Sequence, residues 1–294
     1  MKVGSDDPVA CLPPRSPHPP RLRPPAGSWD VHAHVIGRAP DHPWVTPRSY
    51  DPPAAPVSAY IHLLDTLGLD YGVLVQVSVH GTDNRLLFEG LAQYPDRLRG
   101  VVAVRENVDD ADLARFHEAG VRGVRIATVV HGGVPLAAAA TMAARVATYG
   151  WHVEFALHGA MLPTLAPMLR DFPTPVVIAH FGDCAVEDGI DGAQFRALAD
   201  LVTGGRCYVK LSGAYRLAAA PWRALDRFAR ALIALRADRM LWGSDWPHVA
   251  LTRPETMPDT SGLFDILSDW VPDDEAIDRI LVANPAELYG IPGG

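Results

Sequence analysis

Tyr71-Gly72-Val73-Leu74-Val75-Gln76-Val77 is an apolar run that shows no polar alternation before Gln76. A strand with one wet face alternates polar and apolar residues. An unbroken run predicts a strand covered on both faces, which is the mark of a parallel sheet. Ahead of it, Ala59 to Leu67 spaces Ile61, Leu64 and Leu67 as an amphipathic helix, and Gly68 stops that helix.

The same alternation repeats down the chain. Helices are predicted over residues 85–94, 109–119, 136–148, 162–170, 194–202 and 225–235. Between them lie strands over 99–104, 121–126, 151–156, 175–180, 207–211 and 239–245, and short helices over 262–267 and 275–282 close the chain. Counting the stretch around residues 30–34, eight strands are each followed by a helix or loop at a spacing suited to parallel crossovers. The predicted class is α/β, a (β/α)8 barrel over residues 28–294. An open doubly wound sheet gives similar local signals, but no GxGxxG follows the first strand and no Walker loop occurs.

Met1 to Gly27 carries Pro8, Pro13, Pro14, Pro17, Pro19, Pro20, Pro24 and Pro25 without an apolar core segment. It reads as a partly disordered, partly polyproline arm on the outside of the barrel, not as a signal peptide. A chain of 294 residues with 48% hydrophobic and 20% charged residues buries one full-sized core. Its formal net charge of -8 argues against nucleic acid or an anionic membrane as partner, so any anionic ligand must be met by local arginines. No run reaches the roughly 18 to 20 apolar residues that span a bilayer. Cys11, Cys184 and Cys207 are widely spaced, which fits a reducing cytoplasm. A homo-oligomer remains open.

Asp30-Val31-His32-Ala33-His34 occupies the first strand. Strict alternation puts His32 and His34 on one face with Asp30, and Val31, Ala33 and Val35 on the other. Two imidazoles on one face either hold a divalent metal or set polar donors beside a reacting carbonyl, and both uses need further groups. A barrel collects such groups at the C-terminal ends of its strands. Those ends carry Ser78 and His80, Arg125, Glu154 and His158, His180, then Ser212, Tyr215 and Arg216, and last Asp245 and His248. A buried ring of His32, His34, His180 and Asp245 has no packing reason to exist, because each member costs desolvation unless paired. The proline-rich loop from Arg38 to Pro56 reads as a lid or substrate wall, with Tyr50 as its candidate contact or as an aromatic that packs the loop down.

The set Asp30-Val31-His32-Ala33-His34, Ile178-Ala179-His180 and Trp242-Gly243-Ser244-Asp245-Trp246-Pro247-His248 resembles the amidohydrolase superfamily. Within it the chain is similar to the group of predicted metal-dependent hydrolases that includes 2-pyrone-4,6-dicarboxylate lactonase. The resemblance runs from about Gly27 to Gly290. Its most specific pieces are the segments from Val75 to Asn84, from Gly120 to Arg125 and from Val209 to Arg216. It implies a distorted barrel that opens a carboxylated lactone, of the 2-pyrone-4,6-dicarboxylate or sugar-acid kind, in aromatic compound degradation or a related role. Asp245 is then the acid/base residue, and His32, His34 and His180 line the carbonyl with no cofactor required. Tyr50, Ser78, Arg125, Arg216 and His248 are the implied substrate contacts.

Binuclear members bridge two metals with a lysine from the fourth strand, and Val124-Arg125-Ile126-Ala127 offers none. One divalent metal, zinc or manganese, held by His32, His34, His180 and Asp245, is the alternative. A metal-dependent decarboxylase, with His80 or His248 protonating the carbanion, is the alternative reaction. The seventh strand weakens it by offering Lys210, Ser212 and Arg216 but no histidine. Glu154 either reaches the site or pairs with a donor such as His152. Lys210 is expected beside an anion or carboxylate, and His131 either touches substrate or sits in solvent.

Overall fold

The computed structural model of the chain describes residues 8–127 and 133–293. Its strands are β1 (Val9–Ala10), β2 (Trp29–Ala33), β3 (Tyr50–Asp51), β4 (Tyr71–Val75), β5 (Leu98–Val102), β6 (Val121–Ala127), β7 (His152–Ala156), β8 (Val176–Ile178), β9 (Cys207–Leu211) and β10 (Met240–Trp242). Eight of them form one parallel sheet in the order β10-β9-β8-β7-β6-β5-β4-β2. The helices α1 (Val57–Leu67), α2 (Arg85–Gln93), α3 (Asp110–Glu118), α4 (Ala139–Ala147), α5 (Leu162–Arg170), α6 (Ala193–Thr203) and α8 (Asp226–Arg236) follow the strands, and the short α7 (Ala214–Leu217) caps the end of β9. The fold is a (β/α)8 barrel of distorted outline.

The distortion sits where the sheet closes. β10 and β2 share no regular ladder and are joined just past the end of β10. Asp245 N–H donates to the His32 carbonyl at 2.8 Å, and His34 N–H donates to the Trp246 carbonyl at 2.8 Å. Chain approach here needs Gly243, since a Cβ at that position would lie 2.6 Å from the His32 Cβ.

Two packed layers follow from the alternation. Val73, Val75, Val101, Val177 and Leu241 point inward with Trp29 and Tyr289, while residues such as Leu74, Val102, Ile178 and Trp242 join the outer layer beneath the helices. Strict alternation in β2 is not kept. The ladder to β4 shifts register between Asp30 and Ala33, and Val31 packs with the inward set, not with the outer layer where alternation put it. This is the behaviour of a bulge, which delivers two successive residues to one side.

Residues 8–27 run along the outside. β1 pairs in parallel with β3, and Leu12 N–H donates to the Leu251 carbonyl at 2.9 Å. The arm therefore ties the segment around Tyr50 to the segment after β10. No helix among the described residues is long and apolar enough to cross a membrane.

Candidate active site

Asp245 lies directly after β10 and is 1% exposed. Its two carboxylate oxygens have different surroundings. Oδ2 accepts from the Tyr215 hydroxyl at 2.7 Å and lies 3.7 Å from Arg216 Nε. Oδ1 faces the imidazoles, 3.7 Å from His32 Nε2, 3.5 Å from His34 Nε2 and 3.9 Å from His180 Nε2. One oxygen is anchored and the other is presented. Burial alone would raise this carboxyl, but His180, Arg216 and His34 around it hold it well below the usual carboxylate range. Arg216 is the permanent charge among them, so Asp245 is ionised at neutral pH.

Each histidine is oriented from behind. His34 Nδ1 lies 2.7 Å from the Val75 carbonyl, which can only accept, so Nδ1 carries a proton and the ring is held with Nε2 turned toward Asp245. His180 Nδ1 pairs with Ser212 Oγ at 2.9 Å, and burial drives its pKa down to about 3. Gly213, at φ +66°, permits that packing, because a Cβ there would sit 2.8 Å from His180 Nδ1.

His32, with no exposure, is backed by Lys210. The Lys210 ammonium touches the Val31 carbonyl at 2.7 Å, Glu154 Oε2 at 2.6 Å and His32 Nδ1 at 3.2 Å. Burial, followed by the positive charge of Lys210, holds His32 well below its usual pKa, in the neutral form. Glu154 thus pairs with Lys210 and not with His152, both of whose ring nitrogens are buried without a partner among the described residues.

Above this cluster opens a cavity of about 610 Å³, with His34, His180, Tyr50, Ser78, Arg125 and Arg216 on its wall. The Tyr50 hydroxyl and Ser78 Oγ are 2.7 Å apart. Arg125 is 7% exposed, spends one N–H on the Gln76 carbonyl at 2.6 Å and leaves its buried Nε without a partner. Its charge has no carboxylate partner among the described residues. Such a group favours an anion entering the cavity.

The sequence expectations divide cleanly. His32, His34, His180 and Asp245 are brought together, and Tyr50, Ser78, Arg125 and Arg216 share the cavity. His248 does not. It is fully buried behind Tyr215, edge-on to that ring at 5.1 Å, with Nε2 on Thr260 Oγ1 at 2.8 Å, so it cannot touch a ligand in the cavity. His80 is also directed away, accepting from Gly37 N–H at 3.2 Å. His131 lies outside the described residues. Tyr215 and Ser212 were assigned no role from sequence. Their signal was spacing: Ser212 follows Lys210 by two residues, hence on the same face of β9, and Tyr215 opens the turn after it.

Whether the cluster suits a metal depends on spacing and on protons. One donor atom from each of His32, His180 and Asp245 lies within 4.8 Å of the others, which suits a single cation. The protons do not suit it. An ammonium has three N–H groups and no lone pair, so His32 Nδ1 can only accept from Lys210, and the ring proton must be on Nε2, aimed at the position a metal would take. An N–H is not a ligand, and with it in place the residues do not fit a metal.

Comparison with known proteins identifies the family. A family model described as amidohydrolase matches residues 29–291. A 4-sulfomuconolactone hydrolase of Rhizobium radiobacter is 34% identical over 272 residues, covering 91% of each chain. A 2-pyrone-4,6-dicarboxylate hydrolase of Comamonas testosteroni is 33% identical over 287 residues, covering 93% of each. A crystal structure from Acinetobacter baumannii, described as a probable 2-pyrone-4,6-dicarboxylic acid hydrolase with citric acid bound, superposes with a TM-score of 0.79 at 29% identity, over 90% of this chain and 99% of that one. With a match of this extent and a buried carboxylate set among strand-end histidines, the chain belongs to the amidohydrolase family.

Proposed function

We propose that the protein is a lactonase that hydrolyses a small cyclic ester bearing carboxylate or sulfonate groups, with no metal required. The observation that carries this reading is the divided Asp245 carboxylate, one oxygen held by Tyr215 and the other turned to three histidines beneath a cavity walled by Arg125 and Arg216. Two relatives bear the names of hydrolases for anionic lactones, and a related structure holds citric acid.

Water is placed between Asp245 Oδ1 and His34 Nε2 and donates one hydrogen to Oδ1. The water oxygen adds to the lactone carbonyl, Asp245 takes the proton, and the carbonyl oxygen gains the charge. That oxyanion is met by His32 Nε2–H, a donor already in place before reaction. Collapse of the adduct breaks the ring C–O bond, and Asp245 returns the proton to the leaving oxygen. Arg125 and Arg216 take the substrate's anionic groups, on an otherwise acidic protein.

The decarboxylase alternative lacks its acid, since both His80 and His248 point away from the cavity. The unpaired Cys11, Cys184 and Cys207 agree with a reducing cytoplasm as its setting. The test is acid release from a panel of carboxylated and sulfonated lactones by chelator-treated protein, with Asp245→Asn beside it. We expect opening of at least one lactone and a drop in kcat of roughly a hundredfold or more in the variant. Opening at the same rate by the variant, or of no lactone at all, removes the proposal.

A further inference from the structure

We propose that Lys210 is a positioning residue that holds His32 as its Nε2–H tautomer and so keeps the histidine cluster a hydrogen-bond donor and not a metal site. Three strands meet at this point: His32 from β2, Glu154 from β7 and Lys210 from β9, all with no exposure. The lysine's three donors meet three acceptors, the Val31 carbonyl, Glu154 Oε2 and His32 Nδ1. None is left over, and none is shared with solvent.

A competing arrangement is built into the same three residues. Glu154 Oε1 lies 3.4 Å from His32 Nδ1 and is buried with no hydrogen bond of its own among the described residues. If Nδ1 carried the proton and gave it to Oε1, Nε2 would face Asp245 as a bare lone pair. A carboxylate behind a histidine whose far nitrogen binds a cation is the arrangement that metal sites use to orient their ligands. His34 already carries a proton on Nδ1, which donates to the Val75 carbonyl. Among the described residues, Lys210, inserted between Glu154 and the ring, is the group that opposes an Nδ1 proton in His32. A single buried side chain thus selects between two chemistries for the His32 nitrogen that faces Asp245.

The role given to the donor rests on the lactonase reading, whereas the tautomer can be observed without turnover. The full chain, labelled with 15N in its histidine rings, is examined by long-range 1H–15N correlation, and His32 is assigned by the pattern lost in His32→Gln. We expect Nε2 protonated and Nδ1 bare. A proton on Nδ1, or on both nitrogens, overturns the proposal whether or not lactones are opened. Conversely, an Nε2–H ring in a protein that opens no lactone sinks the hydrolase reading and leaves the assignment of Lys210 standing.

The paired variant Lys210→Met with Glu154→Gln removes both charges at once, so neither is left buried alone. In this variant His32 should pass to the Nδ1–H form, and the folded protein should retain about one equivalent of zinc after dialysis where the parent retains none at the cluster. A folded variant that keeps Nε2–H and takes up no zinc refutes the selecting role. Should the variant not fold, the spectrum of the parent still decides.

Discussion

Asp245 and His180 both stand at positive φ, 59° and 54°, a conformation uncommon for residues with a side chain and concentrated at functional positions. The turns they make follow the ends of β8 and β10 and bring His180 Nε2 within 3.9 Å of Asp245 Oδ1. Asp245 is then held by Tyr215, which lends the carboxylate a hydroxyl without touching Oδ1. Tyr215→Phe should therefore lower kcat about tenfold with little change in KM, as expected for one lost bond of about 1.4 kcal/mol to a charged acceptor. A change in KM alone, measured on whichever lactone the protein opens, would place Tyr215 with the binding groups. The same turn geometry explains why His248 was misread. It follows Asp245 by three residues, and positive φ at Asp245, His248 and Ala250 turns the chain so that the histidine lands behind Tyr215. Linear adjacency says which residues are near and nothing about which side of a turn they take.

Among the elements, long alternating or apolar stretches were legible. α5 and β9 begin and end where periodicity put them. β8 and β10 are three residues each where the sequence suggested six and seven. Their apolar character runs on past the ladder into the backbone that carries His180 and Asp245, so composition cannot mark where pairing stops. The terminal segment predicted as one helix over 275–282 is instead Asp274–Asp278, a π turn at Arg279–Ala283 and a further helix Asn284–Tyr289. The four acid and imidazole groups were readable because polar residues at buried strand ends demand a reason. The part played by Lys210 was not, since it depends on three strands that are adjacent only across the closed barrel.

At the scale of the whole molecule, burying neutral histidines ties stability to pH. His152 and His180 are held down to about 3 and His248 to about 4, each by burial first. A histidine with a depressed folded pKa binds its proton more readily when unfolded, so stability is lost as pH falls below the ordinary value of 6.5 toward the folded one. Asp30, raised to about 6 by burial, works in the opposite direction over part of that range, and three histidines outweigh one carboxyl. Urea unfolding should give a constant free energy above about pH 7 and a steep decline from pH 6.5 to 4. His248→Gln, which keeps a partner for Thr260, should recover up to roughly 3 kcal/mol of that decline, the linkage value of its shift; a slope unchanged by the substitution would mean that His248 titrates normally. The arm has a more practical consequence. β1 holds the strand of Tyr50, Leu12 holds the opposite wall, and Ile291 near the other end of the chain sits on Arg99 at the base of β5. An affinity tag or fusion partner before β1 pulls on the rim of the cavity, whereas one after Gly293 hangs from the far end of the barrel. Matched N-terminal and C-terminal fusions should differ in KM by a few-fold and agree in melting temperature, which makes the choice of vector a kinetic variable for this enzyme.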